Sequence, residues 1–260
     1  MTSVAQGRGI SSRTIASAAI FTAFVAAATL AFAIVIPATN GYFNIGEVMV
    51  YIAALIMGPY VGAFAGGVGS AISDAILAPQ FAPGTLVIKG LEGFIVGYLS
   101  RLKLANLSRG RWLAFSILTG IGLGALVGYL GAVYLSGEQT LYLGFSIGPT
   151  TPIGPQVSYD FFVPWFFWVF VGGLAFIAVL WAGYNLDERL GWTIVSVLVG
   201  GSEMVTGYFL FESVGLQLGF VSASAEVPFN IGQVLVGLLV AVPAVRSYRM
   251  MVRRTPMGAA

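Results

Sequence analysis

Residues 46–78 read GEVMVYIAALIMGPYVGAFAGGVGSAISDAILA, and the way this stretch is divided decides the topology of the chain. It is apolar almost throughout, with Gly58-Pro59 near its middle. Proline breaks a helix unless it sits in the first turn, so the stretch is either one kinked helix or two helices joined by a tight turn. Charge elsewhere in the chain separates the two. Read as a hairpin, with the N-terminus inside, it puts Arg8, Arg13, the Arg101–Lys103–Arg109–Arg111 cluster, Arg189, and Arg246, Arg249, Arg253 and Arg254 on the cytoplasmic side. That is eleven of the twelve basic residues. One kinked helix would send the Arg101–Arg111 cluster outside, against the positive-inside rule. The hairpin follows, and Lys89, inside a helix, is the one basic residue away from the cytoplasm.

Working outward, a membrane helix needs roughly 17–25 apolar residues, and eight segments qualify or nearly so: 14–36, 46–57, 60–78, 84–101, 112–135, 161–184, 190–212 and 227–247. The expected fold is therefore an all-α, polytopic transmembrane helical bundle of about eight spans, a single membrane domain over residues 1–260 with both termini cytoplasmic. Composition agrees. Of 260 residues, 58% are hydrophobic and 8% charged, against about 25% charged in soluble domains, and the mean hydropathy is +0.91. Such a chain has lipid for a solvent, and the expected location is the cell membrane. The first apolar run, Ile15 to Ile36, exceeds the roughly 7–15 residues of a secretory signal core and is expected to remain in the mature protein. The loop at about 136–160 holds Gly148, Pro149, Pro152, Gly154 and Pro155 and is expected to be irregular.

There are no cysteines and no histidines, which excludes disulfides, thiolate metal sites, Cys or His catalysis and haem ligation. No cofactor or metal is expected. A net charge of +2 gives no reason to expect nucleic acid. No glycine-rich phosphate loop followed by Lys-Ser/Thr occurs, so the chain does not hydrolyse ATP by that route.

The polar residues converge on the outer side. Asn40, Tyr42 and Asn44 fill the loop before the second span, and Glu47 opens that span. Asp74 lies near the outer end of the third. Lys89 and Glu92 lie in the outer turns of the fourth, Glu212 ends the seventh, and Glu226, Asn230 and Gln233 open the eighth. A charge inside a membrane costs about 2.5–3.5 kcal/mol on insertion scales, so such groups face a cavity or a partner. Groups from several spans at one depth imply a polar pocket open to the outside; taken singly, any of them could be an interfacial residue wetted by headgroups. Lys89 and Glu92, three apart, share a helix face. Either they neutralise each other or Lys89 offers its charge to an anionic ligand. Glu203, mid-span beside Gly200 and Gly201, stays neutral there, hydrogen-bonds across helices or faces the cavity floor; a proton relay is the sharper reading. Tyr42, Phe43, Phe81, Tyr208, Phe209 and Phe229 could supply stacking.

Small residues at four-residue spacing mark close helix contacts in lipid. Gly62-Gly66-Ser70 and Gly120-Gly124-Gly128 read as contacts within the chain. Ala19-Ala23-Ala27 on the first span fits a contact within the chain or with another subunit.

The stretches Pro37-Ala38-Thr39-Asn40-Gly41-Tyr42-Phe43-Asn44-Ile45-Gly46-Glu47, Tyr51-Ile52-Ala53-Ala54, Gly58-Pro59-Tyr60-Val61-Gly62-Ala63 and Gly66–Asp74 resemble the substrate-binding S components of energy-coupling-factor (ECF) transporters, and most of all the riboflavin-type branch. Ala82–Gly93, Gly207-Tyr208-Phe209-Leu210-Phe211-Glu212 and Glu226-Val227-Pro228-Phe229-Asn230-Ile231-Gly232-Gln233 extend the match. The resemblance implies a high-affinity subunit, not an enzyme, that binds a vitamin or related micronutrient from outside. It implies docking on a transmembrane coupling (T) subunit that carries two cytoplasmic ATPases, through the alanine face that maps onto Ala19, Ala23 and Ala27. It also implies a departure: family members have six helices, so 14–111 and 185–250 would form the family-like core and 112–184 an inserted transmembrane hairpin with an outer loop. Two other functions compete. A self-sufficient secondary transporter would couple protons or sodium through Glu203 or Asp74, but no internal repeat of the kind such proteins show is visible. An intramembrane enzyme acting on a lipid would need Glu203 and Glu212 on one metal, and nine residues put them half a turn out of phase.

Overall fold

The computed structural model describes residues 11–36, 38–102, 109–134, 136–146, 152–185 and 188–254. Arg8, Pro37, Lys103, Gly148 and Pro149, used in the sequence reading, lie outside these. Among the described residues eight α-helices run in order: α1 Ser12–Ala31, α2 Glu47–Met57, α3 Pro59–Leu77, α4 Ala82–Leu99, α5 Arg109–Tyr134, α6 Trp165–Asn185, α7 Glu188–Leu210 and α8 Gly219–Arg254. Six of them (α1, α3, α5, α6, α7 and α8) are long and apolar enough to cross a membrane. The expected helical, polytopic bundle is the observed fold. α4 is 18 residues long but carries Lys89 and Glu92 on a buried face. α2, with 11 residues, rises about 16 Å, roughly half of the 30 Å hydrocarbon core.

The division of 46–78 at Gly58-Pro59 holds. Gly58 adopts φ 96°, a left-handed conformation open to glycine at low cost, and Pro59 opens α3 at its first position. The C-terminal carbonyls of α2 are capped from elsewhere in the chain: Arg101 Nη2 donates to Ile56 O at 3.3 Å and Arg249 Nη2 to Leu55 O at 2.8 Å. Cations belong at a helix C-terminus for just this reason, the last carbonyls having no partner within the helix. Two arginines that the charge rule assigns to the cytoplasm thus meet at one end of the bundle, while Glu47 stands at the other end of the same short helix.

Three regions depart from expectation. The first span ends at Ala31, and residues 33–36 form a strand, β1 (Ala33–Ile36), paired antiparallel with β2 (Gly41–Asn44). Ile34, Val35 and Ile36 are β-branched and fit a strand better than a helix end. The loop at 136–160 is not irregular. β3 (Gly137–Ser146) and β4 (Pro152–Val163) pair antiparallel, so α6 begins at Trp165 rather than 161. Proline is tolerated there because a two-stranded ribbon has only edge strands; Pro152 is the first residue of β4, and Pro155 falls in the register shift opposite Leu143–Phe145. Finally, α8 starts at Gly219, eight residues before the expected 227, and runs through Pro228 and Pro243.

α3 and α4 form the tightest pair of the core, because their glycines let the backbones touch. A Cβ on Gly66 would stand 2.7 Å from the carbonyl oxygen of Lys89, closer than atoms can approach. α5 and α6 pack chiefly on each other, with Gly124 of α5 against Gly172 of α6. Both glycine stripes therefore serve contacts within the chain. The α5–α6 pair joins the rest through few contacts: Trp112 of α5 lies against Gly191 of α7, and β3 lies against β1.

Candidate functional site

The outer half of the core holds a narrow recess lined by Gly41, Tyr42 and Asn44 of β2, Asp74 of α3, Phe81 of the α3–α4 turn, Lys89 of α4, Tyr208 of α7, and Glu226, Asn230 and Gln233 of α8. The elements arrive there for local reasons. Asn44 Oδ1 accepts from the Gly46 amide at 2.8 Å, which turns the chain from β2 into α2. Gly41 packs on the Glu226 carboxylate so closely that any Cβ would overlap it.

The wall on the α3–α4 side is a chain of hydroxyls ending on one carboxylate. The Tyr42 hydroxyl donates to Asp74 Oδ1 and the Thr85 hydroxyl donates to Asp74 Oδ2. Thr85 and Tyr208 hydroxyls are 2.8 Å apart; since the one Thr85 proton goes to Asp74, Tyr208 is the donor there. Burial first, and then the Asp74 carboxylate, push the Tyr42 phenol above its ordinary value, so it stands protonated as a donor. Opposite, Thr39 donates to Glu226 Oε1 and accepts from the Gly41 amide at 3.1 Å. Glu212, in a π-helical turn (Phe211–Gly215) that ends α7, lies beside Glu226. Gln233 Nε2 donates to Asn230 Oδ1 at 3.1 Å, and Gln233 Oε1 is buried without a hydrogen-bond partner.

Beneath the recess is a charged cluster. Lys89 forms an ion pair with Glu47 and a second with Glu92, the latter at 3.2 Å. Tyr51 donates to Glu92 Oε1 at 2.8 Å, and Lys89 Nζ is 5.6 Å from the centre of the Tyr208 ring. Of the two readings of Lys89, neutralisation by its neighbours is the one observed, and it involves Glu47 of another helix as well as Glu92 of its own. Glu203 is half-buried on α7 and feels the charges of Lys89 and Glu92. Among the described residues no group of acidic side chains is arranged to hold a metal ion.

Of the eleven residues singled out from sequence, Tyr42, Asn44, Asp74, Lys89, Glu226, Asn230 and Gln233 line the recess. Glu47, Glu92 and Glu212 are buried against those. Asn40 is not brought in; it is exposed in the β1–β2 turn with φ 59°, a left-handed position that asparagine tolerates. Thr39, Thr85 and Tyr51 were missed. For two of them a signal was present: Thr85, Lys89 and Glu92 share one helical stripe, and Tyr51 is four residues from Glu47. Thr39 carried none. Ala19, Ala23 and Ala27 are exposed on the side of α1 away from Val25 and Thr29, which are buried.

A bundle of apolar helices around a buried polar recess is the form of a multi-pass membrane protein that handles a small solute. The chain belongs to a particular family of these: residues 9–151, more than half of its length, match the family of ECF-type riboflavin transporter S components. It is a transporter's substrate-binding subunit of the cell membrane, not an enzyme. A protein of Pyrococcus woesei described as an "uncharacterized protein in gap 3′ region" is 44% identical over 111 residues, which cover 43% of this chain and 72% of that one.

Proposed function

We propose that this chain captures a vitamin or related micronutrient at the outer face of the membrane for an ATP-driven importer of the energy-coupling type, with riboflavin the first ligand to test. The observation that carries this reading is the recess itself: hydroxyl, carboxylate and amide groups from β2, α3, α4, α7 and α8 meet at one depth with the rings of Tyr42, Phe81 and Tyr208. In this reading Tyr42, Asn44, Asp74, Lys89, Glu226, Asn230 and Gln233 bind or frame the ligand, while Glu47, Glu92 and Glu212 hold those side chains in place.

The T subunit would dock on Ala19, Ala23 and Ala27, and two cytoplasmic ATPases would drive release. The exposure of that alanine stripe on α1 supports this, since a smooth small-residue face lets another helix approach closely. The sparse contacts of α5 and α6 with other helices support reading 112–184 as a hairpin added to a core of 14–111 and 185–250. Native mass spectrometry of the gently purified protein tests the proposal. A co-purifying flavin or other vitamin, lost on Asn44→Ala, supports it. An empty protein that takes up nothing from a vitamin panel, yet moves protons or sodium when reconstituted alone, replaces it with the secondary transporter.

A further inference from the structure

We propose that the cleft between the α5–α6 pair and α7 is a lipid site, which takes one hydrocarbon chain of an anionic phospholipid whose phosphate rests among Arg109, Arg111 and Arg189. The cleft lies apart from the recess, at the end of the bundle that the charge rule assigns to the cytoplasm. Trp112 and Thr119 of α5, Val179 and Gly183 of α6, and Ile194 and Leu198 of α7 line it. From Trp112 to Thr119, and from Gly191 to Leu198, the lining extends along each helix by about 10 Å. Its walls are mostly apolar, and the polar groups of Trp112 and Ser116 are satisfied within the protein. Trp112 Nε1 donates to Gly183 O at 3.0 Å, and the Ser116 hydroxyl donates to Trp112 O at 3.0 Å. Such a space offers water little to bind and suits an apolar occupant. The protein does not close it: α6 and α7 barely touch, and Thr119, Val179, Ile194 and Leu198 are each only half-buried.

The rim is basic. Arg109 lies one helical turn before Trp112. Its Nη2 donates to Tyr184 O at 3.2 Å and its guanidinium lies 5.5 Å from the centre of the Tyr184 ring, which holds it beside Gly183. Arg111 precedes Trp112, Arg189 lies two residues before Gly191, and all three arginines are exposed. Among the described residues of 109–112 and 183–191, Glu188 is the one acidic residue set against them. A guanidinium recognises phosphate through paired N–H donors, and basic clusters at the cytoplasmic surface attract anionic lipid. An apolar chain in the cleft and a phosphate at its rim are two ends of one molecule, which favours this occupant over a second copy of the chain. Once seated, the chain would supply the packing between the α5–α6 pair and α7 that the protein leaves out.

The test is native mass spectrometry of the full chain released from detergent micelles that hold equal amounts of phosphatidylglycerol and phosphatidylcholine with the same chains. Phosphatidylglycerol should be retained over phosphatidylcholine by at least about tenfold. The triple variant Arg109→Gln/Arg111→Gln/Arg189→Gln, whose three changes are all at exposed positions, should cut that preference to about threefold or less. Location is read on the unaltered chain: phosphatidylglycerol with a diazirine midway along one chain should label peptides containing 112–119, 179–183 or 191–198. Equal retention of the two lipids, a preference unmoved by the triple variant, or labelling of these peptides no stronger than of the other helices overturns the inference. So does a dimer that carries no lipid, which would give the cleft to a second copy.

Discussion

The Lys89 ammonium of α4 is bound to the Glu47 carboxylate at the first turn of α2, with side chains 4% and 2% exposed. The pair ties the start of a helix that rises only half the bilayer to the middle of its neighbour, directly under the recess. With Glu92 and Tyr51 it makes the floor of the site one connected network rather than a set of separate polar residues.

Removing the cation from this network leaves two buried carboxylates facing each other. Lys89→Met should therefore destabilise the protein by about 3–5 kcal/mol, read as a large fall in Tm in detergent. The double variant Glu47→Gln/Lys89→Met should recover part of the loss, because one of the stranded charges is gone. A single variant as stable as the parent would show that the pair contributes nothing.

Tyr42 secures β2 to α3 through Asp74. Tyr42→Phe removes the donor but keeps the ring, and should weaken ligand binding by about 1–3 kcal/mol, a Kd change of roughly 5- to 150-fold. Its pH behaviour follows from the raised phenol. Folding favours the protonated form, so this contribution is fully present below the ordinary phenol value of about 10 and is lost only as pH rises toward the higher one. Binding by the parent protein should show no tyrosine titration between about pH 7 and pH 10; a loss centred inside that window would contradict the assignment.

Two helical glycines should respond oppositely to alanine. Gly66→Ala places a methyl 2.7 Å from the Lys89 carbonyl; since that neighbour is backbone, α3 and α4 must separate and a poorly folded or aggregated protein is expected. Gly122 of α5 has open space around it. Alanine there should be neutral or stabilising by up to about 1 kcal/mol, the helix propensity difference. Size-exclusion profiles and thermal melts of the two variants decide this.

Ala23→Trp adds bulk to an exposed face of α1 without entering the recess. Ligand affinity should be unchanged while co-purification with a coupling subunit falls at least about tenfold. Retention of the complex would move the docking surface elsewhere.

Much of this protein is written locally. Apolar run lengths and the Gly58-Pro59 break determined the class and most helix ends, because lipid leaves the backbone few alternatives, and the one-sided distribution of arginines sets the expected orientation. The same reasoning brought acidic and amide residues from several spans to one outer region, and the structure gathers seven of the eleven around one recess. The tertiary structure decided what those residues do to each other. Whether Lys89 was free or held depended on how close the start of α2 comes to α4, a distance set by Gly66 and its neighbouring glycines rather than by hydropathy. The β1–β2 hairpin and the β3–β4 ribbon depended on cross-chain pairing, which no run length encodes. Thr39 reaches Glu226 across 187 positions of sequence, and only packing could introduce them.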